Sequence, residues 1–169
     1  MIVSIIILLI SLILDGILTN FLPYLVGDLS IFTPLFTLTV IFLIYPLFRK
    51  KEIHYFILVF ITGIIYDLLY TNLLFFNACL FLIMALISSF IYKKFEVDYL
   101  KLIIYLILVI ILYETFTGIV LAIFNIVPVT ISKIIYKITH SLIINIIYGE
   151  LIYLIINKLP NKYKKISIN

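Results

Sequence analysis

Leu102-Ile103-Ile104-Tyr105-Leu106-Ile107-Leu108-Val109-Ile110-Ile111-Leu112-Tyr113-Glu114-Thr115-Phe116-Thr117-Gly118-Ile119-Val120-Leu121-Ala122-Ile123-Phe124 decides the class of this chain. Across these 23 residues stands one charged side chain, Glu114. A helix crossing about 30 Å of hydrocarbon needs about 20 mainly apolar residues, and this stretch supplies them.

The rest of the chain has the same character. Of 169 residues, 66% are hydrophobic and 12% charged, and the mean hydropathy is +1.35. Soluble domains run at about 45–50% apolar and about 25% charged. There is too little polar surface here to clothe a globule in water, so lipid must do the covering. That excludes a disordered, fibrous or conventional water-soluble protein. The single cysteine, Cys79, excludes a disulfide framework within the chain and a cysteine-based metal cluster.

Five further apolar stretches flank the first, and together they predict an all-α, polytopic membrane helix bundle of about six spans. These run over Val3–Leu25, Ile31–Phe48, His54–Thr71, Asn77–Tyr92, Leu102–Phe124 and Ile131–Asn157. The second is the shortest, with Pro34 near its start and Pro46 near its end. Val26-Gly27-Asp28-Leu29-Ser30 and Asn125-Ile126-Val127-Pro128 read as turns, while residues 49–52 and 93–98 are charged links. Leu73-Leu74-Phe75-Phe76 is too apolar for a solvated loop and is expected at or just inside the outer interface. The first stretch has neither a basic leader nor a small-x-small cleavage site, so it is expected to be a retained span.

Charge sets the orientation. With the N-terminus inside, Arg49, Lys50, Lys51, Lys93, Lys94, Lys101, Lys158, Lys162, Lys164 and Lys165 fall on the inner side, and only Lys133 and Lys137 on the outer. Ten cations against two place both termini in the cytoplasm. Residues 1–158 then form one transmembrane helical domain, and 159–169 a basic cytoplasmic tail. Tyr45, Tyr55, Tyr92, Tyr99 and Tyr163 fall at the inner boundary, where an aromatic belt is expected.

Ionisable groups inside spans cost energy and mark candidate positions. Asp15, Asp67 and Glu114 lie in the outer half of outward-going spans, with no lysine or arginine at matching depth. Glu150 and His140 lie on the sixth span, Glu150 nearer the cytoplasm. Three carboxylates at one depth are open to two readings. They gather around a metal or proton, or each is satisfied by neighbouring hydroxyl and backbone groups and joins helices together. A proton relay through Glu114 or Glu150 with His140 is a lesser alternative. The candidate polar set is Asp15, Thr19, Asp67, Thr71, Asn72, Asn77, Glu114, His140 and Glu150, with no catalytic residue, metal site or cofactor expected.

There is an internal echo. Asp15-Gly16-Ile17-Leu18-Thr19-Asn20-Phe21-Leu22 and Asp67-Leu68-Leu69-Tyr70-Thr71-Asn72-Leu73-Leu74 share Asp-x-x-x-Thr-Asn-x-Leu. The four-residue spacing puts Asp and Thr on one helix face, where the hydroxyl can meet the carboxyl. Glu114 with Thr117 and Gly118 is a looser third copy, suggesting three helical hairpins. No phosphate loop, nucleotide fingerprint, zinc-protease motif or hydrolase triad is present, and no basic–aromatic pattern points to nucleic acid.

Gly63-Ile64-Ile65-Tyr66-Asp67-Leu68-Leu69, continued by Thr71-Asn72-Leu73-Leu74-Phe75-Phe76-Asn77-Ala78, resembles the corresponding segment of the MreD family of bacterial rod shape-determining membrane proteins. Length and span layout are similar throughout, and the specific part runs from Gly63 to Phe81. The resemblance implies a non-enzymatic scaffold of the cell-wall elongation complex in the bacterial cytoplasmic membrane. Its implied partners are an MreC-like single-span protein, an MreB-like filament, and RodA-like and class B penicillin-binding synthases. The family is held to share a fold with substrate-binding subunits of energy-coupling-factor transporters. The alternative is therefore a subunit binding a vitamin or metal, which the scarcity of glycine and alanine disfavours.

Overall fold

The computed structural model describes residues 2–26, 34–71, 73–95, 97–124 and 130–158, with side chains in the first helix described from 3 to 19. Every regular element among them is helical: α1 (Ile2–Val26), α2 (Phe36–Ile44) continuing as a 3-10 turn (Tyr45–Phe48), α3 (Glu52–Tyr70), α4 (Phe76–Lys94), α5 (Tyr99–Ile123) and α6 (Ile131–Lys158). The protein is an all-α membrane bundle, and α3 to α6 are each long and apolar enough to cross a bilayer. The exposed apolar side chains of these helices, such as Ile57, Leu68, Leu86, Ile104 and Ile143, suit a lipid surround.

Each observed helix matches its sequence expectation to within three residues, except the second. Among the described residues that expected span is a nine-residue α-helix and a four-residue 3-10 turn. At 1.5 and 2.0 Å rise per residue it is about 21 Å long, short of the hydrocarbon thickness. Pro46 explains its tight end: without an N–H it cannot continue the α-helical ladder.

All nine residues of α2 are buried, so it has no lipid-facing side. It touches α1, α4, α5 and α6, while α3 packs outside against α4 and α1. The second apolar stretch is thus the core of the bundle. A helix apolar all round belongs either in lipid or in a protein interior, and its sequence does not separate the two.

Glycine sets two of the approaches. A Cβ on Gly63 of α3 would overlap the Ala78 backbone of α4, and a Cβ on Gly16 of α1 would overlap the Tyr70 ring. The turn between α3 and α4 needs Phe75 at φ 68°, a left-handed conformation costing a bulky residue about 1–2 kcal/mol. Leu74 and Phe75 are exposed at this end of the hairpin.

The inner end differs from expectation in one respect. Tyr45 and Tyr55 are fully buried and pack edge-on at 5.2 Å, so they form a core knot and not an interfacial belt. Tyr55 Oη donates to the Ile41 carbonyl at 3.0 Å, Tyr45 Oη donates to Glu52 at 2.8 Å, and Lys93 Nζ pairs with Glu52 at 2.7 Å. Arg49 donates to the Tyr92 carbonyl at 3.0 Å, and Lys94 lies 5.2 Å over the Phe90 ring. The cationic joints Arg49–Lys50–Lys51 and Lys93–Lys94 therefore meet at one end. Asn72, the turns at 27–30 and 125–128, and the tail with Tyr163, Lys162, Lys164 and Lys165 lie outside the described residues.

Gly63→Ala should destabilise the bundle by about 1–3 kcal/mol, because the obstacle is backbone that cannot swing aside. Gly16→Ala should cost less, since Tyr70 can rotate away at the loss of one hydrogen bond. Thermal unfolding of the two variants in one detergent gives the ordering.

Candidate functional site

A helix that begins inside a membrane bundle has a problem at its N-terminus. Its first four N–H groups have no partner within the helix, and each left bare in the interior costs about 1–3 kcal/mol. At the start of α2 the amides of Leu35, Phe36 and Thr37 are met by other helices. Asp15 of α1 accepts from Phe36 N at 2.7 Å and from Thr37 N at 2.9 Å through its two oxygens. Asn145 of α6 accepts from Leu35 N at 2.7 Å and donates to the Ser141 carbonyl at 2.7 Å. Pro34, just upstream, has no N–H to satisfy.

The same device starts α4. Asp67 of α3 accepts from Asn77 N at 3.0 Å and Ala78 N at 3.2 Å. Thr71 Oγ1 and Asn77 Nδ2 donate to its Oδ1 at 3.0 and 2.8 Å, and Tyr113 of α5 donates to Asn77 Oδ1 at 2.7 Å. A carboxylate at a helix N-terminus also gains from the helix dipole. In both copies of the echoed motif, the aspartate caps the next helix in the chain. The threonines differ: Thr71 reaches the carboxylate, whereas Thr19 donates to the Asp15 main-chain carbonyl at 2.7 Å.

Glu114 breaks the series. It is buried at 4% exposure, yet among the described residues it makes no hydrogen bond and caps no helix. Three equivalent hairpins are therefore not what the described residues form; two carboxylates are capping groups and the third is not.

These outer helix ends enclose a cavity of about 590 Å³. Asp15, Thr19, Thr71, Asn77 and Glu114 line it, and Asp67 lies behind Asn77. Lys137 lines it as well, which corrects the expectation that no cation shares the depth of the acids. Lys137 stands on the second turn of α6, which packs against α5, the helix that carries Glu114. Among the described residues, no group of three His, Cys, Asp or Glu side chains could hold a metal ion.

His140 and Glu150 are not brought to this cavity. His140 lies against its own helix, with Nδ1 2.7 Å from the Tyr136 carbonyl and its ring 3.9 Å from that of Tyr136. Glu150 accepts from Tyr99 Oη at 3.1 Å near the start of α5, the opposite end of that helix from Glu114's outer half. No hydrogen bond or ion pair among the described residues joins either one to Glu114, which removes the geometry a relay would need.

Sequence reasoning missed Asn145, Tyr113 and Ser11. Ser11 Oγ and Tyr148 Oη share a 2.7 Å hydrogen bond between α1 and α6, and Tyr148 stacks on Phe36 at 3.9 Å. The available signal was Ser141 and Asn145 four apart on a long apolar helix, a polar pair with no solvent to serve. Compared with protein-family models, curated proteins and solved structures, the chain matches none.

Asp15→Leu and Asp67→Leu should each lower stability by about 3 kcal/mol or more, since each strands at least two buried amides. Asp67→Asn should cost about 1–2 kcal/mol, because one oxygen can keep the three bonds now made by Oδ1. Unfolding in detergent, with folded yield as a control, separates the two: equal losses for Leu and Asn would show that the charge and not hydrogen bonding is needed.

Proposed function

We propose that this chain is an MreD-like scaffold, a non-enzymatic component of a cell-wall elongation complex in a bacterial cytoplasmic membrane, with both termini inside. The observation that carries the reading is the Gly63–Phe81 segment. Its Gly63 lets α3 and α4 touch, and its Asp67 and Asn77 tie α3, α4 and α5 together. The residues behind the resemblance are thus those that make the hairpin rigid, which suits a protein that positions others by shape. The buried Tyr45–Tyr55 knot and the Glu52–Lys93 pair brace the other end.

The partners proposed are an MreC-like single-span protein first, then RodA-like and class B penicillin-binding synthases and an MreB-like filament. Contact would use the apolar helix faces and short loops, since lipid offers no hydrophobic drive of its own and close packing decides association. A second reading, the substrate-binding subunit of an energy-coupling-factor transporter for a vitamin or metal, draws on the cavity beside Asp15 and Glu114.

Depleting the protein in the bacterium that encodes it should turn rods into spheres, and affinity purification from its membranes should retain a coiled-coil, single-span protein. Unchanged cell shape together with retention of an ATPase would overturn the scaffold in favour of the transporter subunit.

A further inference from the structure

Most polar groups around the outer cavity are already engaged. Asp15 holds the α2 amides, and Asn77 is held by Asp67 and Tyr113. Among the described residues the buried Thr117 hydroxyl has no partner, and the two charged exceptions are Glu114 and Lys137. Both line the cavity, and among the described residues neither makes a hydrogen bond or an ion pair. Glu114 is 4% exposed and lines the cavity, where Lys137 is the charged group that acts on its carboxylate.

The remaining walls are mainly apolar and aromatic: Leu35, Tyr66, Leu69, Phe76, Tyr113 and Leu121. A cavity of about 300–1,000 Å³ with apolar walls and a few convergent polar groups is the usual form of a small-molecule site. Tyrosine and phenylalanine faces also attract cations.

We propose that this cavity binds a small zwitterionic amine with an apolar body, its ammonium group held by Glu114 and its anionic group directed to Lys137. Opposite charges on one cavity select a molecule that carries both. A simple amine would meet only Glu114, and a simple anion only Lys137. Binding of this kind does not depend on the scaffold reading, because a scaffold and a transport subunit could each use it.

The test is calorimetric titration of the full chain in detergent with three probes of one skeleton: L-phenylalanine, 2-phenylethylamine and 3-phenylpropionate, each to millimolar concentration. L-Phenylalanine should bind saturably and at least about tenfold more tightly than either relative. Glu114→Gln should weaken L-phenylalanine by about tenfold or more at an unchanged melting temperature, since Glu114 makes no bond the fold needs. Lys137→Gln should weaken L-phenylalanine while leaving 2-phenylethylamine unchanged or tighter. Three results would overturn the proposal: no saturable L-phenylalanine binding to folded wild-type protein, equal binding of all three probes, or binding indifferent to Glu114→Gln. Failure of Glu114→Gln to fold would overturn it too, by showing that Glu114 serves structure. Cell shape is a separate readout, so failure here leaves the scaffold test standing.

Discussion

A helix that starts in the middle of a membrane protein must find partners for its first amides, and this bundle is arranged around that requirement. The amides of Leu35, Phe36 and Thr37 sit where water does not reach, and Asn145 and Asp15 receive them. Those acceptors come from α6 and α1, so satisfying α2 brings the two long helices in on either side of it. Ser11 with Tyr148, and Tyr148 on Phe36, then close the same three-helix contact. With its start secured, α2 can be apolar on every face and serve as the core.

The second use of the device, Asp67 on Asn77 and Ala78, shows how little the connecting chain matters. The aspartate reaches an amide 21 residues on in the first copy and 10 residues on in the second. What the copies share is a carboxylate on one helix held beside the start of the next. Such a carboxylate is structural: its lone pairs are committed to backbone donors. Glu114 is chemically alike but stands on a helix whose successor starts elsewhere, and among the described residues its oxygens accept no hydrogen bond. That difference separates a group holding the fold from one available to a ligand.

The two ends of the bundle work by different physics. At the inner end, charged side chains share water with the joints, so the Lys93–Glu52 pair is half exposed and adds little to stability. The buried hydroxyls of Tyr45 and Tyr55 and their packed rings do more to fix that end. At the outer end the polar groups are buried, and each unsatisfied one would cost more than a surface pair contributes.

Much of the architecture was legible in the sequence because lipid imposes a simple rule: long apolar runs become helices, and cations mark where they stop. The limits of α3, α4, α5 and α6 follow from that rule. Asp15 and Asp67 were legible as positions, since a carboxylate in an apolar run stands out, and their four-residue spacing to Thr19 and Thr71 was visible. Their partners were not, because a capped amide belongs to the backbone of any residue and leaves no mark in composition. The same holds for α2: an apolar run reads alike in lipid and in protein, and only its neighbours decide which one surrounds it. By itself the sequence determined a membrane helical bundle with buried acids. The tertiary structure decided that two of those acids start helices, that the third faces Lys137 across a cavity, and that the second stretch is core. These depend on which helix ends come together, a property of long-range packing.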